Sequence, residues 1–427
     1  MQWLKEIPSH WEVEPFARHF SYGKGLPITK ADLMQEGIAV ISYGQVHSKL
    51  NKGTTISEEL VRFVSPNYIE SHPQCLLNNG DFVFADTSED IEGSGNFAFN
   101  DYTDKIFAGY HTVVARPIDL PYPQYYAYLF QSLNWKGQIQ SLVNGVKVYS
   151  IGKGHLKKSY LLIPPLAEQK KIVSYLEDKT SKIDAYVADK EKEIELLQEL
   201  KQKTIADAVT KGLNPDAKMK DSGISWIGGI PEHWEVCRMK RVFSEAKEKT
   251  TTESGTLLSL SQYTGITLKD DAKKVGMFEA ESTIGYNVVH SGQFVMNIML
   301  AWNGSYAVSD YEGIISPSYC VFNFNEDCEK KYFHYLLRLP AYAGAFKTMS
   351  KGIIESRLRL YPIYFLAFKT IIPPLNEQQA IVAYIEEKCE KIDKLVSELQ
   401  SEIDYLKEYK QRLIADCVTG QVNVSGV

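Results

Sequence analysis

The chain has 427 residues, 44 % hydrophobic and 23 % charged, the values of a globular protein long enough for two or three domains. No apolar run approaches the ~18 residues of a membrane span, and Met1-Gln2-Trp3-Leu4-Lys5-Glu6 lacks the basic-then-apolar pattern of a secretory leader, so a cytoplasmic protein is expected. The six cysteines form no Cys-x-x-Cys pair, which excludes a disulfide frame or zinc site, while a net charge of −6 argues at first sight against nucleic acid.

In chain order, the sequence opens with Trp3-Leu4-Lys5-Glu6-Ile7-Pro8-Ser9-His10-Trp11-Glu12-Val13. Short strand-like runs follow at 37–41, 81–85 and 111–115, bounded by Gly, Asn and Asp, and then a short aromatic helix at 125–130. Next comes Ile163-Pro164-Pro165-Leu166-Ala167-Glu168-Gln169, whose prolines block helix upstream. From there Leu176, Thr180, Ile183, Val187, Lys190, Ile194, Leu197, Lys201, Thr204 and Ala208 alternate by four and three, the a/d seam of a coiled coil. Gly212 and Pro215 end this helix of roughly 40 residues, about 60 Å.

The series then starts again. Trp226-Ile227-Gly228-Gly229-Ile230-Pro231-Glu232-His233-Trp234 repeats the opening at an offset of 223 (226 − 3). Strand-like runs recur at 256–260, 293–297 and 319–322, and an aromatic helix at 332–337. Ile372-Pro373-Pro374-Leu375-Asn376-Glu377-Gln378 lies 209 residues after its first copy (372 − 163), with Asn376 as a candidate N-cap. The comb returns as Ile385, Cys389, Ile392, Val396, Leu399, Ile403, Leu406, Lys410, Leu413 and Cys417, ending at Gly420. The chain is therefore a tandem duplication with similar ends and diverged middles. The predicted fold is α+β: domains over 1–165 and 226–374, long helices over 166–212 and 375–420, a linker at 213–225 and a tail at 421–427. Because a folded unit separates the helices, an antiparallel pairing is the simpler one.

Counting charge by segment answers the objection to nucleic acid. Between Asp119 and Glu168 there is no acid, yet Lys136, Lys147, Lys153, Lys157 and Lys158 are present, interleaved with Tyr149 and His155. Between Glu329 and Glu377 the only acid is Glu355, against bases that include Lys347, Lys351, Arg357 and Arg359. A local positive face on an acidic protein suffices for phosphate binding, since affinity comes from counterions displaced at the contact. Polar residues on expected loops are candidate base readers: Gln45, His47, Ser94 and Asn96 in the first copy, Gln262, Asn303 and Tyr306 in the second.

Catalytic motifs are missing. There is no Gly-x-x-x-x-Gly-Lys-Ser/Thr loop, no Asn/Asp-Pro-Pro-Tyr/Phe motif of an amino-methyltransferase and no His-Glu-x-x-His pair. Asp216-Ala217-Lys218 lies in the expected linker and is no nuclease site. No enzymatic activity, metal or cofactor is expected of the chain itself.

Taken together, the Trp-x-x-x-Ile-Pro-x-His-Trp openings, the Ile-Pro-Pro-Leu-x-Glu-Gln sequences, Lys182-Ile183-Asp184 with Lys391-Ile392-Asp393, and the endings Ile205-Ala206-Asp207-Ala208-Val209-Thr210 and Ile414-Ala415-Asp416-Cys417-Val418-Thr419 carry a resemblance. The whole chain resembles the specificity (DNA-recognition) subunit of Type I restriction–modification enzymes. The resemblance implies two target-recognition domains that each read half of a split double-stranded DNA sequence, and an antiparallel helix pair that sets the spacer. It also implies docking of two modification (methyltransferase) subunits, with restriction/translocase subunits outside, and S-adenosylmethionine, ATP and Mg only on those partners. Glu168, Gln169, Glu377 and Gln378 at the helix starts are the candidate docking residues. Lys220-Asp221-Ser222-Gly223-Ile224 has no counterpart before Trp3, so the first lead-in is shortened or the true start lies upstream. The alternatives are a coiled-coil scaffold for two protein partners, or a nuclease or methylase, which the missing motifs disfavour.

Overall fold

A computed structural model of the chain describes residues 6–143, 145, 148–262, 265–269, 282–325, 328–352, 354 and 358–424. The chain divides into one unit of Met1–Glu191 with Leu399–Val427 and another of Lys192–Glu398.

In the first unit a four-stranded antiparallel sheet runs in the order Phe20–Lys24, Thr112–Pro117, Phe82–Ala85, Phe97–Phe99. Phe82–Ala85 is buried on both faces, so its alternating side chains feed two cores. Phe82 and Phe84 enter an aromatic core with Phe16, Phe130 and Trp135, whereas Val83 and Ala85 enter an aliphatic one with Ile41 and Val114. A three-stranded sheet of Arg62–Val64, Ile38–Ile41 and Ile106–Ala108 contributes to the aliphatic core, its last pair being parallel.

The second unit repeats the four-stranded order with Phe243–Ala246, Tyr319–Phe324, Phe294–Asn297 and Tyr306–Val308. Phe294 and Met296 face its aromatic core, and Val295 its aliphatic one. Two middles that share little sequence therefore share a sheet. Both domains are also closed alike. Glu12–Pro15 pairs with Tyr160–Ile163, and Glu235–Arg238 pairs with Lys369–Ile372, with Glu12 opposite Ile163 and Glu235 opposite Ile372. The two ends of each domain thus meet just ahead of the Pro-Pro pair.

The long helices are Leu166–Lys211 and Leu375–Val418, of 46 and 44 residues, or about 69 and 66 Å. They end at Gly212 and Gly420, both at φ +72°, the left-handed C-terminal cap that glycine adopts without strain. Asn376 is not the cap expected from sequence. It lies inside the first turn, and the Pro374 carbonyl accepts the Glu377 and Gln378 N–H groups instead.

Each unit holds a length of both helices. In the first, Leu176, Val187, Leu399, Ile403 and Leu413 are buried and Ile183 and Leu406 half-buried. In the second, Ile385 and Ile392 are buried and Ile194, Leu197 and Val396 half-buried. Cross-helix ion pairs fix the antiparallel sense. Lys410 meets Asp184 at 2.6 Å, Lys190 meets Glu402 at 3.6 Å and Lys407 meets Glu191 at 3.0 Å in the first unit. Lys201 meets Asp393 at 2.7 Å in the second, the same pair as Lys410–Asp184 moved by one repeat.

The expected linker is structured. Met219–Asp221 pairs antiparallel with Gly229–Pro231, and Ile224 is buried in the core of the second unit. Among the described residues no helix is long and apolar enough to cross a membrane.

Candidate nucleic-acid interface

In the first unit the acid-free tract includes a short helix, Lys153–Lys157. The Gly152 N–H donates to His155 Nδ1 at 3.1 Å, so His155 closes the first turn, and Leu156 anchors the helix in the core. Lys153, Lys157 and Lys158 stay exposed, with Lys157 Nζ 5.3 Å from the centre of the Tyr22 ring. Just upstream, Tyr149–Ser150 pairs antiparallel with Thr87–Ser88, tying the basic segment to the loop that leaves the central strand. Three lysines on one short exposed surface can contact successive phosphates.

Three residues singled out separately form one hydrogen-bonded chain. Lys136 Nζ donates to Asn96 Oδ1 at 2.7 Å, and Asn96 Nδ2 donates to His47 Nδ1 at 3.2 Å. His47 Nε2–H then donates to the Thr87 carbonyl at 2.8 Å, which places the imidazole proton on Nε2. Burial pushes the Lys136 amine below its usual pKa. This chain holds both ends of the loop 87–96, so His47, Asn96 and Lys136 support the loop and are not free to meet a base edge. Gln45 likewise spends its Oε1 on the Ser42 N–H at 3.1 Å. Ser94, expected to be a reader, is fully buried.

In the second unit the bases sit elsewhere. Lys347 Nζ lies 5.3 Å from the Trp302 ring centre and Lys351 Nζ 5.1 Å from that of Tyr364. Lys351 and Arg359 exchange backbone hydrogen bonds of 2.9 Å, and Asn303 is exposed on the turn Ala301–Asn303. The helix equivalent to Lys153–Lys157 is Pro362–Ala367, which carries no base and exposes Ile363. The two basic tracts therefore share a place in the repeat but not an element of structure. Tyr306 is a further correction. It opens a strand, is 1 % exposed and donates to the Leu337 carbonyl at 2.6 Å, inside the core. The backbone of Gln262 accepts from Arg338. Lys147 and Arg357 lie outside the described residues.

The helix starts also differ from expectation. Glu168 accepts from Trp11 Nε1 at 2.9 Å and pairs with His10 Nε2 at 2.8 Å, and Glu377 does the same with Trp234 at 2.9 Å and His233 at 2.6 Å. Burial works against the charge of Glu168, yet the bonds from Trp11 and His10 hold its pKa below the usual glutamate value. Gln169 and Gln378 are each 2 % exposed and donate to the Pro164 and Pro373 carbonyls at 2.8 Å. Buried and spent within the chain, these glutamines are no docking surface.

Sequence reasoning missed an exposed apolar flank on the helices. Leu196 and Leu200, 56 % and 51 % exposed, stand one turn apart, and Leu200 shares a cleft of about 290 Å³ with Tyr384. One repeat away the first unit exposes Tyr405 and Tyr409, with Tyr175 half-buried on the partner helix. The signal was present as apolar residues off the seam at an offset of 209.

Residues 20–196 match the family model described as the Type I restriction modification DNA specificity domain. The chain is 26 % identical over 321 residues to the Type I restriction enzyme MjaVIII specificity subunit of Methanocaldococcus jannaschii, covering 70 % of this chain and 71 % of that protein. Over its first copy the chain is thus similar to the Type I restriction–modification specificity subunits. The putative MjaX specificity subunit of the same organism is 22 % identical over 444 residues, covering 99 % and 96 %. In fold, the chain is similar to a chain solved in work on complex assembly and conformational transition of the type I R-M system (TM-score 0.69, 15 % identity, 98 % and 100 % covered). It is also similar to the HsdS subunit from Thermoanaerobacter tengcongensis (TM-score 0.52, 15 % identity, 98 % and 99 % covered). Among the described residues no group of three or more His, Cys, Asp or Glu is placed to hold a metal ion.

Proposed function

We propose that the chain is a Type I restriction–modification specificity subunit, that each α+β domain reads one half of a split DNA target and that the helix pair sets the distance between the halves. The carrying observation is duplication: one sheet order, one domain closure and one helix-start contact occur in each unit, each with an antiparallel length of the two long helices. A duplicated protein matches a two-part site whose half-site spacing follows from the protein. Phosphate contacts come from Lys153, Lys157 and Lys158 in one domain and from Lys347 and Lys351 in the other, while loops beside them meet base edges.

The apolar flanks at Leu196, Leu200 and Tyr384 and at Tyr175, Tyr405 and Tyr409 are equivalent by the repeat, and equivalent surfaces suit two copies of one partner. In this reading that partner is the modification subunit. Methyl transfer, ATP use and cleavage then belong to modification and restriction subunits, and the chain supplies no catalytic group. Selection from a random duplex library by the full-length chain tests the proposal. Two constant half-sites across an unspecified spacer of one length are expected, and a single continuous site refutes it.

A further inference from the structure

We infer that Trp11 and Trp234 are positioning residues for the spacer, each fastening its domain to the start of one long helix and the end of the other. The inference rests on the split-target reading and names what makes the spacing sharp.

Trp11 Nε1 donates to Glu168 in the first turn of one helix, while the far edge of its ring lies against Gly420, just past the end of the other. A methyl group added at Gly420 would stand 3.2 Å from the Trp11 ring and 2.5 Å from Pro8. Trp234 repeats the arrangement, with Nε1 on Glu377 and a ring 3.2 Å from the equivalent position at Gly212. Both glycines hold φ +72°, so each helix turns away where the indole needs room. A second directional bond accompanies each indole. The buried Tyr125 hydroxyl donates to the Val418 carbonyl at 3.0 Å, and that of Tyr332 to the Val209 carbonyl at 2.8 Å.

Apart from these bonds, the His10–Glu168 pair and the Gln421 amide on the Glu6 carbonyl, domain and helices meet through apolar Ile172, Val173, Leu176 and Ile414 in the first unit. Apolar burial holds surfaces together but does not fix an angle. The indole, held at both ends, does. The lever is long enough to matter: a rotation of about 10° acting over roughly 20 Å, a little more than the radius of such a domain, moves a contact by about 3.5 Å, one base-pair step. Losing the Trp bonds should therefore blur the spacer without changing the half-sites.

The test is a spacer series in which both selected half-sites stay constant, bound by the full-length chain. Trp11→Phe with Trp234→Phe keeps the rings and removes the donors. The preference for the best spacer over spacers one base pair longer or shorter should fall about tenfold, the half-site sequences being unchanged. Glu168→Gln with Glu377→Gln keeps an acceptor for each indole and should retain the wild-type preference, which bulk destabilisation would not do. If the Phe variant fails to fold, Glu168→Ala with Glu377→Ala removes the same bonds from the helix side, together with the His10 and His233 pairs, and should blur the spacer at least as much. A wild type with a sharp spacer and folded variants just as sharp overturns the inference alone. A wild type with no fixed spacer overturns the functional reading and this inference with it.

Discussion

Replacing Lys153, Lys157 and Lys158 together by Gln removes three exposed cations from one short segment while leaving its anchor, Leu156, in the core. Each phosphate contact adds about 0.9 to the slope of log affinity against log salt, so three contacts add about 2.7. Between 50 and 200 mM salt, a fourfold rise, wild type should then lose about 40-fold more affinity than the variant. Fluorescence anisotropy on a duplex carrying the selected target, at three or four salt concentrations, measures both slopes. Lys136→Gln is the internal control. Its amine is bonded to Asn96, so that variant should leave the slope unchanged. Equal slopes for wild type and the triple variant would refute the assignment of this helix to the phosphate backbone.

Three further outcomes follow from particular contacts. Burial, reinforced by Arg338, holds His334 at about 4 against an ordinary 6.5. The unfolded chain therefore takes up the proton first, and stability that is full above pH 6.5 is lost as pH falls to about 4, by up to about 3 kcal/mol. Denaturant midpoints across that range should fall for wild type and flatten for His334→Gln. Gly420→Ala should cost about 2–3 kcal/mol, a left-handed alanine plus a clash with Pro8, whereas Gly212→Ala, with 3.2 Å to its nearest neighbour, should cost about 1–2. Equal denaturation midpoints for the two would contradict the close packing at Gly420. Leu200→Glu with Tyr409→Glu should abolish co-purification of the modification subunit while the helical circular dichroism stays constant, and retained assembly would remove these flanks from the docking surface.

The strands and both long helices were legible because burial imposes its period locally. Phe82-Val83-Phe84-Ala85 and Phe294-Val295-Met296-Asn297 read as strands, and the four-three comb reads as a seam. The site was less legible because its roles depend on partners far away in sequence. Trp11 and Glu168 are 157 residues apart, so a repeated Trp beside a repeated Glu showed duplication but not contact. Gln169 and Gln378 look like exposed helix-start polars, yet the turn after each Pro-Pro pair folds them back onto a proline carbonyl. Tyr306 follows Asn303-Gly304-Ser305 and reads as loop, but strand pairing with Met296 carries its ring into the core. His47, Asn96 and Lys136 were chosen as single contacts, and only the fold shows that they bond to one another.

The central claim is that the paired helices measure the distance between two half-sites. It is tested most directly by adding one heptad to each helix, after Lys192 and after Ser401, equivalent positions 209 residues apart. These points keep Lys410–Asp184, Lys190–Glu402 and Lys407–Glu191 within the first unit and Lys201–Asp393 within the second, and seven residues keep the seam in phase. The insertion lengthens the pair by about 10 Å, or roughly three base pairs at ~34 Å per turn. The measurement is selection from a duplex library in which both half-sites are constant and only the spacer varies. The account predicts a spacer about three base pairs longer, bound more weakly because three base pairs also turn the second half-site about a third of the way round the duplex. A lengthened chain that still selects the parental spacer would contradict it.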